Sequence, residues 1–478
     1  MKILLVAPCP ANEQRHNTMD IPQLTLSLIA GMTPPEHEVE ICEEVYGQII
    51  NYDGDYDLIG ITIMTQTCIR GYEIANEFKK RDKKVVFGGM HATAHPQEAI
   101  MYADAVVIGE AEDGLWTRII NDAKKDKLKE FYKLEKLPDL QNHIYPRRDL
   151  IRCASGKFGV APIETTRGCP YNCDFCSVSR FFGTKQRHKP IPDIIQEAEM
   201  CNEKVLFFLD DNITLDKKFV KKLFHELIPL KKKWVGQASI NLTKDPELME
   251  LAYKSGCRAL LVGFESMTDD GINQYRKTLK TVNENILAVK KLRDHGIMTM
   301  ASLVFGLDSD TPNVFDVSYE FLTKAKPAFF QACALTPYPG TPVFEELKSQ
   351  NRILTDDWRK YDATKVIISP KNMTIDELYN GYNDIKKSIY SNKSIFNRAF
   401  PNMKLGIPEA VFYYTLNRGY YKNNKTKRFE GVQENKKGHP VDFDVTKHVK
   451  PVKGTKMKTS TVQLPFLTQV SRVHSQVK

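Results

Sequence analysis

Little in this chain suggests a membrane. No apolar run approaches the ~18 residues that a spanning helix needs. The N-terminal apolar run from Ile3 to Ala7 breaks at Pro8 without a signal-peptide cleavage pattern. That start is expected to be a first β-strand, and the protein to be cytoplasmic. No sign of charge dominates the body either. From Tyr421 to Lys478, thirteen Lys and Arg face four Asp and Glu, which accounts for the entire formal charge of +9. The first 420 residues balance, so the body is no general polyanion binder, and nucleic acid is not an expected partner. A disulfide framework is also missing: seven of the ten cysteines (Cys9, Cys42, Cys68, Cys153, Cys201, Cys257 and Cys333) stand singly in a 478-residue chain. With 42% hydrophobic and 27% charged residues, disordered, collagen-like and coiled-coil classes are excluded.

What is present is an α/β pattern. Apolar strands are expected at Ile3–Ala7, Glu38–Cys42, Leu58–Met64, Val85–Phe87 and Ala105–Ile108. Helical periodicity lies between them, near Gln23–Gly31, Arg70–Lys80, Pro96–Tyr102 and Leu115–Ala123. Continuous apolar strands alternating with helices mean a parallel sheet covered on both faces. Such sheets bind ligands beyond the carboxyl ends of their strands. The spacing predicts a Rossmann-like domain over 1–135 and a linker over 136–159, in a stretch that turns charged and irregular from about residue 124. A second βα series follows over 160–345, with strands at Ala161–Thr166, Lys204–Leu209, Trp234–Ser239, Arg258–Phe264, Met298–Phe305 and Ala328–Ala334. Six units are too few for a closed eight-stranded barrel and predict a partial one, with its active groups at the strand C-termini. Residues 346–421 read as a helical C-terminal region, and 422–478 as a basic, poorly ordered tail.

The chemistry concentrates in Cys169-Pro170-Tyr171-Asn172-Cys173-Asp174-Phe175-Cys176, directly after the first strand of the second series. Thiolates ligate iron–sulfur clusters and soft metals. Three thiols on one short loop leave one iron of a [4Fe–4S] cluster open, whereas a structural zinc site is closed by a fourth ligand. His188 is the one local residue able to close such a zinc site.

This C-x3-C-x2-C loop after the first strand of a six-unit partial barrel resembles the signature of the radical S-adenosylmethionine (SAM) superfamily. The resemblance implies that the open iron chelates the amino and carboxylate groups of SAM, and that electron transfer yields a 5′-deoxyadenosyl radical. It extends through Phe207–Asn212, Trp234–Ser239, Val262–Ser266, Val304–Asp308 and Thr336–Thr341. It implies SAM contacts at Phe175, Asp210, Asp211, Gln237, Ser239, Glu265, Gly306 and Tyr338. A cationic zwitterion needs acceptors, and Asp210, Asp211, Ser239 and Glu265 fall at successive strand ends facing one mouth. Gly306 and Gly340 permit close backbone approach.

The first domain sharpens the resemblance. Gly88-Gly89-Met90-His91-Ala92-Thr93 and Gly109-Glu110-Ala111-Glu112 resemble the cobalamin-binding domain that precedes this barrel in anaerobic Mg-protoporphyrin cyclases, hopanoid methylases and lipid-modifying archaeal enzymes. Thr65, Gln66 and Thr67 are the loop expected to meet a corrin face, with Gly88, Gly89, His91, Gly109 and Glu110 beside it. The Asp-x-His-x-x-Gly loop that supplies an imidazole to cobalt elsewhere is missing, and His91 and His95 stand in the wrong context. A lower cobalt face without a histidine ligand is therefore expected, or a scaffold that has lost its corrin.

The resemblance implies a radical SAM enzyme that methylates an unactivated carbon with cobalamin, drawing electrons from a donor such as flavodoxin or ferredoxin. Cobalamin-independent cyclisation, coupling or rearrangement is the alternative chemistry. A methylthiotransferase is another, with Cys9, Cys42 and Cys68 loosely matching a second cluster. A non-catalytic corrinoid or Fe–S carrier is a third. The aromatics Tyr390, Phe396, Phe400, Phe412, Tyr413, Tyr414, Tyr420 and Tyr421 either pack the C-terminal region or line a pocket for a lipid or other hydrophobic substrate. The basic tail is expected to allow peripheral contact with the inner face of a membrane.

Overall fold

In the computed structural model, residues 1–9, 21–151, 159–275, 281–402, 410, 411, 413–419 and 444–452 are described. Six parallel strands form the first sheet: β1 (Lys2–Ala7), β2 (Glu38–Glu43), β3 (Leu58–Thr62), β4 (Lys84–Gly88), β5 (Ala105–Ile108) and β6 (Phe131–Lys133), in the order β2-β1-β3-β4-β5-β6. Strand alternation feeds two cores. Ile3, Leu5 and Leu58 enter one, and Leu4, Val6 and Ile59 the other. Both faces are thus dry, and only the strand ends are left for ligands. One strand was not expected: β6 emerges from the charged stretch after residue 124 and pairs with β5. The expected turn at Gly88-Gly89 leads into a short helix, Met90–Ala94.

The second sheet is a partial barrel of six parallel strands: β7 (Ala161–Ile163), β10 (Val205–Phe208), β11 (Lys233–Gln237), β12 (Cys257–Glu265), β13 (Met298–Phe305) and β14 (Phe329–Ala334). Its order, β14-β13-β12-β11-β10-β7, leaves the barrel open between β14 and β7. A separate two-stranded ribbon, β8 (Thr166–Arg167) with β9 (Arg187–His188), brackets the cysteine loop. Helices Ile191–Met200, Lys217–Leu227, Pro246–Lys254, Val282–Asp294 and Val314–Ala325 return the chain between strands.

After the helix Pro342–Ser349 the chain does not stay helical. A strap over 350–373 carries the bridge Ile353–Ile368 and one 3-10 turn, Trp358–Lys360. The Trp358 indole of this strap donates to Glu98 of the first domain at 3.2 Å. Helices Ile375–Ile389 and Asn392–Asn402 follow. Ile395 and Tyr413 pack on Ala259, Met298 and Ala328, at the amino ends of the barrel strands. Tyr390 and Tyr413 therefore cover the end opposite the cysteine loop. Tyr390 bonds Phe330, and Tyr413 donates to the Ile395 carbonyl at 2.9 Å, which corrects the substrate-pocket expectation for these two. Phe396 and Tyr414 are exposed. Phe412, Tyr420, Tyr421, the Phe400 side chain and Cys153 lie outside the described residues, as does most of the tail. The described piece of that tail, 444–452, is docked on the first domain: Tyr102 donates to the Val449 carbonyl at 2.8 Å and Asn76 to that of Lys450 at 2.9 Å.

Candidate functional site

The cysteine loop starts on a turn that only glycine fits. Gly168 has φ +93°, and a Cβ there would lie 2.5 Å from the Lys185 carbonyl oxygen. The Cys169 amide donates to the Gly183 carbonyl at 3.2 Å, and Cys176 closes a turn on Cys173 at 3.1 Å. Asp174 accepts the Val343 amide at 3.2 Å, pinning the loop to the helix beyond β14. Cys169 and Cys173 are buried and Cys176 half-buried. Phe175 packs half-buried against the core. His188 does not close a zinc site on these thiols: its ring packs at a tilt against Phe219, and Nε2 faces Asp216 at 3.6 Å. Three thiols on one loop fit a cluster with an open iron.

The strand-end acids divide. Asp210 is fully buried and accepts from the Thr165 amide at 3.2 Å and from the Thr165 and Thr166 hydroxyls at 2.6 Å each. Burial pushes its carboxyl up. It ties β10 to the start of the cysteine loop. Ser239 caps the turn Ile240–Lys244, accepting from Asn241. Gly306 is also structural. Its φ is +98°, its amide donates to Asp310 at 2.9 Å, and a Cβ would lie 3.0 Å from Leu378. Burial drives that Asp310 carboxyl up to about 7. Asp211 and Gln237 are half-buried at the ends of β10 and β11. Glu265 sits buried at the end of β12 with φ +62°, after a register shift at Gly263. Tyr338, past β14, lines the cavity described next, and burial raises its phenol.

A cavity of about 720 Å³ separates the two domains. The first domain supplies Met64, Thr65, Gln66, Met90, Thr93 and His95; the barrel side supplies Ser177, Arg180, Phe181 and the segment Tyr338–Pro342. The expected corrin loop thus reaches the cavity through Thr65 and Gln66. Thr67 does not: its hydroxyl bonds the Met64 backbone and caps the turn. Gly89 is corrected too. Its Cβ position lies 2.7 Å from the Ile63 carbonyl, so the close approach is to the neighbouring strand. His91 is buried away from the cavity and bonds Glu98 at 3.2 Å. Glu98 also accepts from Tyr72 at 2.8 Å. Cys68, His91 and Glu98 hold their ligand atoms within 4.8 Å, but the Glu98 oxygens already serve Tyr72, His91 and Trp358. Open space lies beside two of the expected glycines: a Cβ at Gly109 would meet nothing within 4 Å, and one at Gly88 only Val107 at 4.0 Å.

Glu110 sits in a buried ion-pair network. It joins Glu112 and Glu164 around Arg167, with Arg187 on Glu110 at 2.7 Å and Lys189 on Glu164 at 3.2 Å. Three acids match three cations across the domain junction, next to the cysteine loop. Burial pushes Glu110 up against the pull of Arg167. Burial would do the same to Glu164, but Arg167 and Lys189 hold it at about 2. These basic partners were not singled out from the sequence. Glu110 and Arg187 stand 77 positions apart, and no local pattern joins them.

Comparisons with known proteins agree with this geometry. The family description "Radical SAM superfamily" matches residues 163–322, and "B12 binding domain" matches 18–116. Bacteriochlorophyllide d C-8(2)-methyltransferase of Chlorobaculum tepidum is 33% identical over 79% of this chain and 88% of its own length. The C-12(1)-methyltransferase of the same organism is 30% identical over 78% and 84%. Among solved structures, the radical SAM methyltransferase TsrM from Kitasatospora setae, with cobalamin and a [4Fe–4S] cluster bound, aligns with TM-score 0.64. It has 14% identity and covers 89% of this chain and 99% of that one, a likeness of fold. The cofactors of this enzyme are a [4Fe–4S] cluster, SAM and cobalamin. Among the described residues, no helix is long and apolar enough to cross a membrane. With both domains matched in order and two relatives aligned over most of their length, the chain belongs to the cobalamin-binding radical SAM family.

Proposed function

We propose that this enzyme methylates an unactivated carbon of a bulky, apolar molecule held in the cavity between the two domains. The observation that carries the reading is that both half-sites open on one space. The helix Val178–Phe182, which continues from Cys176, forms one wall, and the β3 loop Met64–Gln66 forms the other. Cys169, Cys173 and Cys176 hold the cluster. Gln237 and Glu265 offer acceptors to SAM at the barrel mouth. Thr65, Gln66, Gly88 and Gly109 hold the corrin. When bound, the cluster and SAM supply a hydrogen-abstracting radical, and cobalamin supplies a carrier for the methyl group.

The chain's own residues position and shield. Phe181, Pro339 and Pro342 make the cavity wall apolar, which keeps water from reactive carbon centres. Tyr338 stays protonated through burial. His95 is held at about 4 by burial and the nearby His91, so its imidazole is neutral at physiological pH. The Chlorobaculum relatives act, by name, on bacteriochlorophyllide d, and a flat macrocycle of that kind suits such walls. An electron donor such as flavodoxin or ferredoxin would reduce the cluster. The test is anaerobic reconstitution with iron, sulfide and hydroxocobalamin, followed by product analysis under reducing conditions. S-adenosylhomocysteine should appear alongside 5′-deoxyadenosine. Formation of 5′-deoxyadenosine alone would replace methylation by cyclisation, coupling or rearrangement.

A further inference from the structure

Among the described residues, one cation of the interdomain cavity has no counter-ion. Arg180 lies one helical turn past Cys176 and lines the cavity, with its Nε buried and unpartnered. Glu345, on the same lining, is exposed at the rim and forms no ion pair with it. Other arginines at this junction are matched: Arg148 meets Glu197 at 2.6 Å, Arg187 meets Glu110 at 2.7 Å, and Arg167 meets three glutamates. A partly buried guanidinium left without an acid is costly unless a ligand brings the charge. On the opposite wall, the Nε2 of His95 is likewise buried without a partner. Met64, Met90 and Phe181 supply the apolar part of a lining that also carries the neutral polar groups of Thr65, Gln66 and Thr93.

We infer that the substrate is an apolar molecule bearing a carboxylate, and that Arg180 binds that carboxylate in the cavity. The inference rests on the methylation reading above. The cofactor anions have other places. The SAM carboxylate belongs on the open iron. The corrin side chains are neutral amides, and on the proposed reading the phosphodiester of cobalamin would go with its nucleotide tail into the open space at Gly88 and Gly109, neither of which lines this cavity. One guanidinium with a neutral imidazole matches a monoanion. A phosphate dianion would keep charge unpaired. Guanidinium and carboxylate also pair through two parallel hydrogen bonds, which would fix the orientation of a flat substrate.

The test uses holoenzyme reconstituted with cluster and hydroxocobalamin, in the presence of SAM. The probes are a chlorin monocarboxylic acid and its methyl ester, titrated by fluorescence. Wild type should bind the acid about ten- to hundredfold more tightly than the ester. Arg180→Gln should bind both as wild type binds the ester, and Arg180→Lys should regain part of the preference. Iron content, cobalamin content and SAM affinity should stay at wild-type levels in both variants. Equal binding of acid and ester by wild type would overturn the inference, and so would no binding of the acid. Loss of cobalamin or SAM from Arg180→Gln would overturn it by assigning the guanidinium to a cofactor. The methylation reading fails on a separate readout, the absence of S-adenosylhomocysteine when reduced wild-type holoenzyme is given SAM.

Discussion

Both sheets have six parallel strands, and both point their carboxyl ends at the same junction, but they equip those ends differently. The first domain offers the hydroxyls of Thr65 and Thr93 to the cavity, while its strand-end carboxylates Glu110 and Glu112 cross to Arg167 on the barrel. The barrel keeps its acids at home: Asp210 on Thr165 and Thr166, Asp310 on the Gly306 and Leu307 amides. A charge at a strand end therefore has two meanings. With an internal partner it holds the architecture. On the reading proposed above, ligand chemistry falls to the thiols, the open space beside Gly88 and Gly109, and Arg180.

The largest effect that sharpens this division comes from the thiols. Changing Cys169, Cys173 and Cys176 together to Ala should take anaerobically reconstituted protein from about four iron atoms per chain to none. Formation of 5′-deoxyadenosine should stop while the circular dichroism of both sheets persists. Retained SAM cleavage would break the assignment.

The junction is next. Arg167→Met leaves Glu110, Glu112 and Glu164 facing one another in a buried site. Removing one partner of such a network costs about 3–5 kcal/mol. Chemical denaturation should show that loss. A change under ~1 kcal/mol would mean that apolar packing and the Trp358 strap hold the domains together, not charge.

The two most displaced carboxyls titrate with opposite sign. Asp310 stands at about 7 in the folded chain, above its value of 3.8 when unfolded. Its folded state is favoured below that unfolded value, and stability is lost as pH rises from about 4 towards 7. Glu164 stands at about 2, below its unfolded 4.5, so its contribution is present above 4.5 and is lost as pH falls towards 2. Asp310→Asn should flatten the loss between pH 4 and 7, which is on the order of 2–4 kcal/mol. Denaturation midpoints across that range, wild type against variant, check it. Identical slopes would show that Asp310 ionises freely.

These contrasts also explain what the sequence made legible. Buried parallel strands are continuous apolar runs, so ten of the twelve main strands stand out within a residue or two at each end. Ala161–Ile163 stops short of its expected end at Thr166 because Thr166–Arg167 leaves the sheet to pair with Arg187–His188, and β6 hides in three residues, Phe131–Lys133, amid charges. The cysteine loop is legible because its ligands are close in sequence. The internal partners of Asp210 and Glu110 are illegible for the converse reason. These partners, Thr165 and Arg187, lie 45 and 77 positions away, and an isolated strand-end acid looks the same whether it meets a ligand or a neighbour.

The open space beside Gly88 and Gly109 gives a smaller effect. Gly88 has open space beside it and no positive φ, so Gly88→Val adds a β-compatible side chain without backbone strain. Cobalamin affinity, read by absorbance titration, should fall roughly tenfold or more from the lost packing space, with iron content and SAM cleavage retained. Unchanged affinity would move the nucleotide tail elsewhere.

The smallest expected effect lies at the opposite pole of the barrel. Phe396 is 73% exposed, on the helix Asn392–Asn402, whose neighbour Ile395 covers the amino ends of the strands. If ligand chemistry is confined to the carboxyl ends, nothing at this pole should touch it. Phe396→Ser removes exposed apolar surface from a helix already fixed by Arg398, which bonds the Ile389 carbonyl at 2.9 Å and Asn417 at 3.1 Å. Stability should shift by less than about 0.5 kcal/mol. Binding of a chlorin acid, cobalamin content and 5′-deoxyadenosine yield should match wild type. A substrate that entered past the C-terminal aromatics would instead lose affinity in this variant. That result would return the helical region to the active site and break the contrast between the two ends of the barrel.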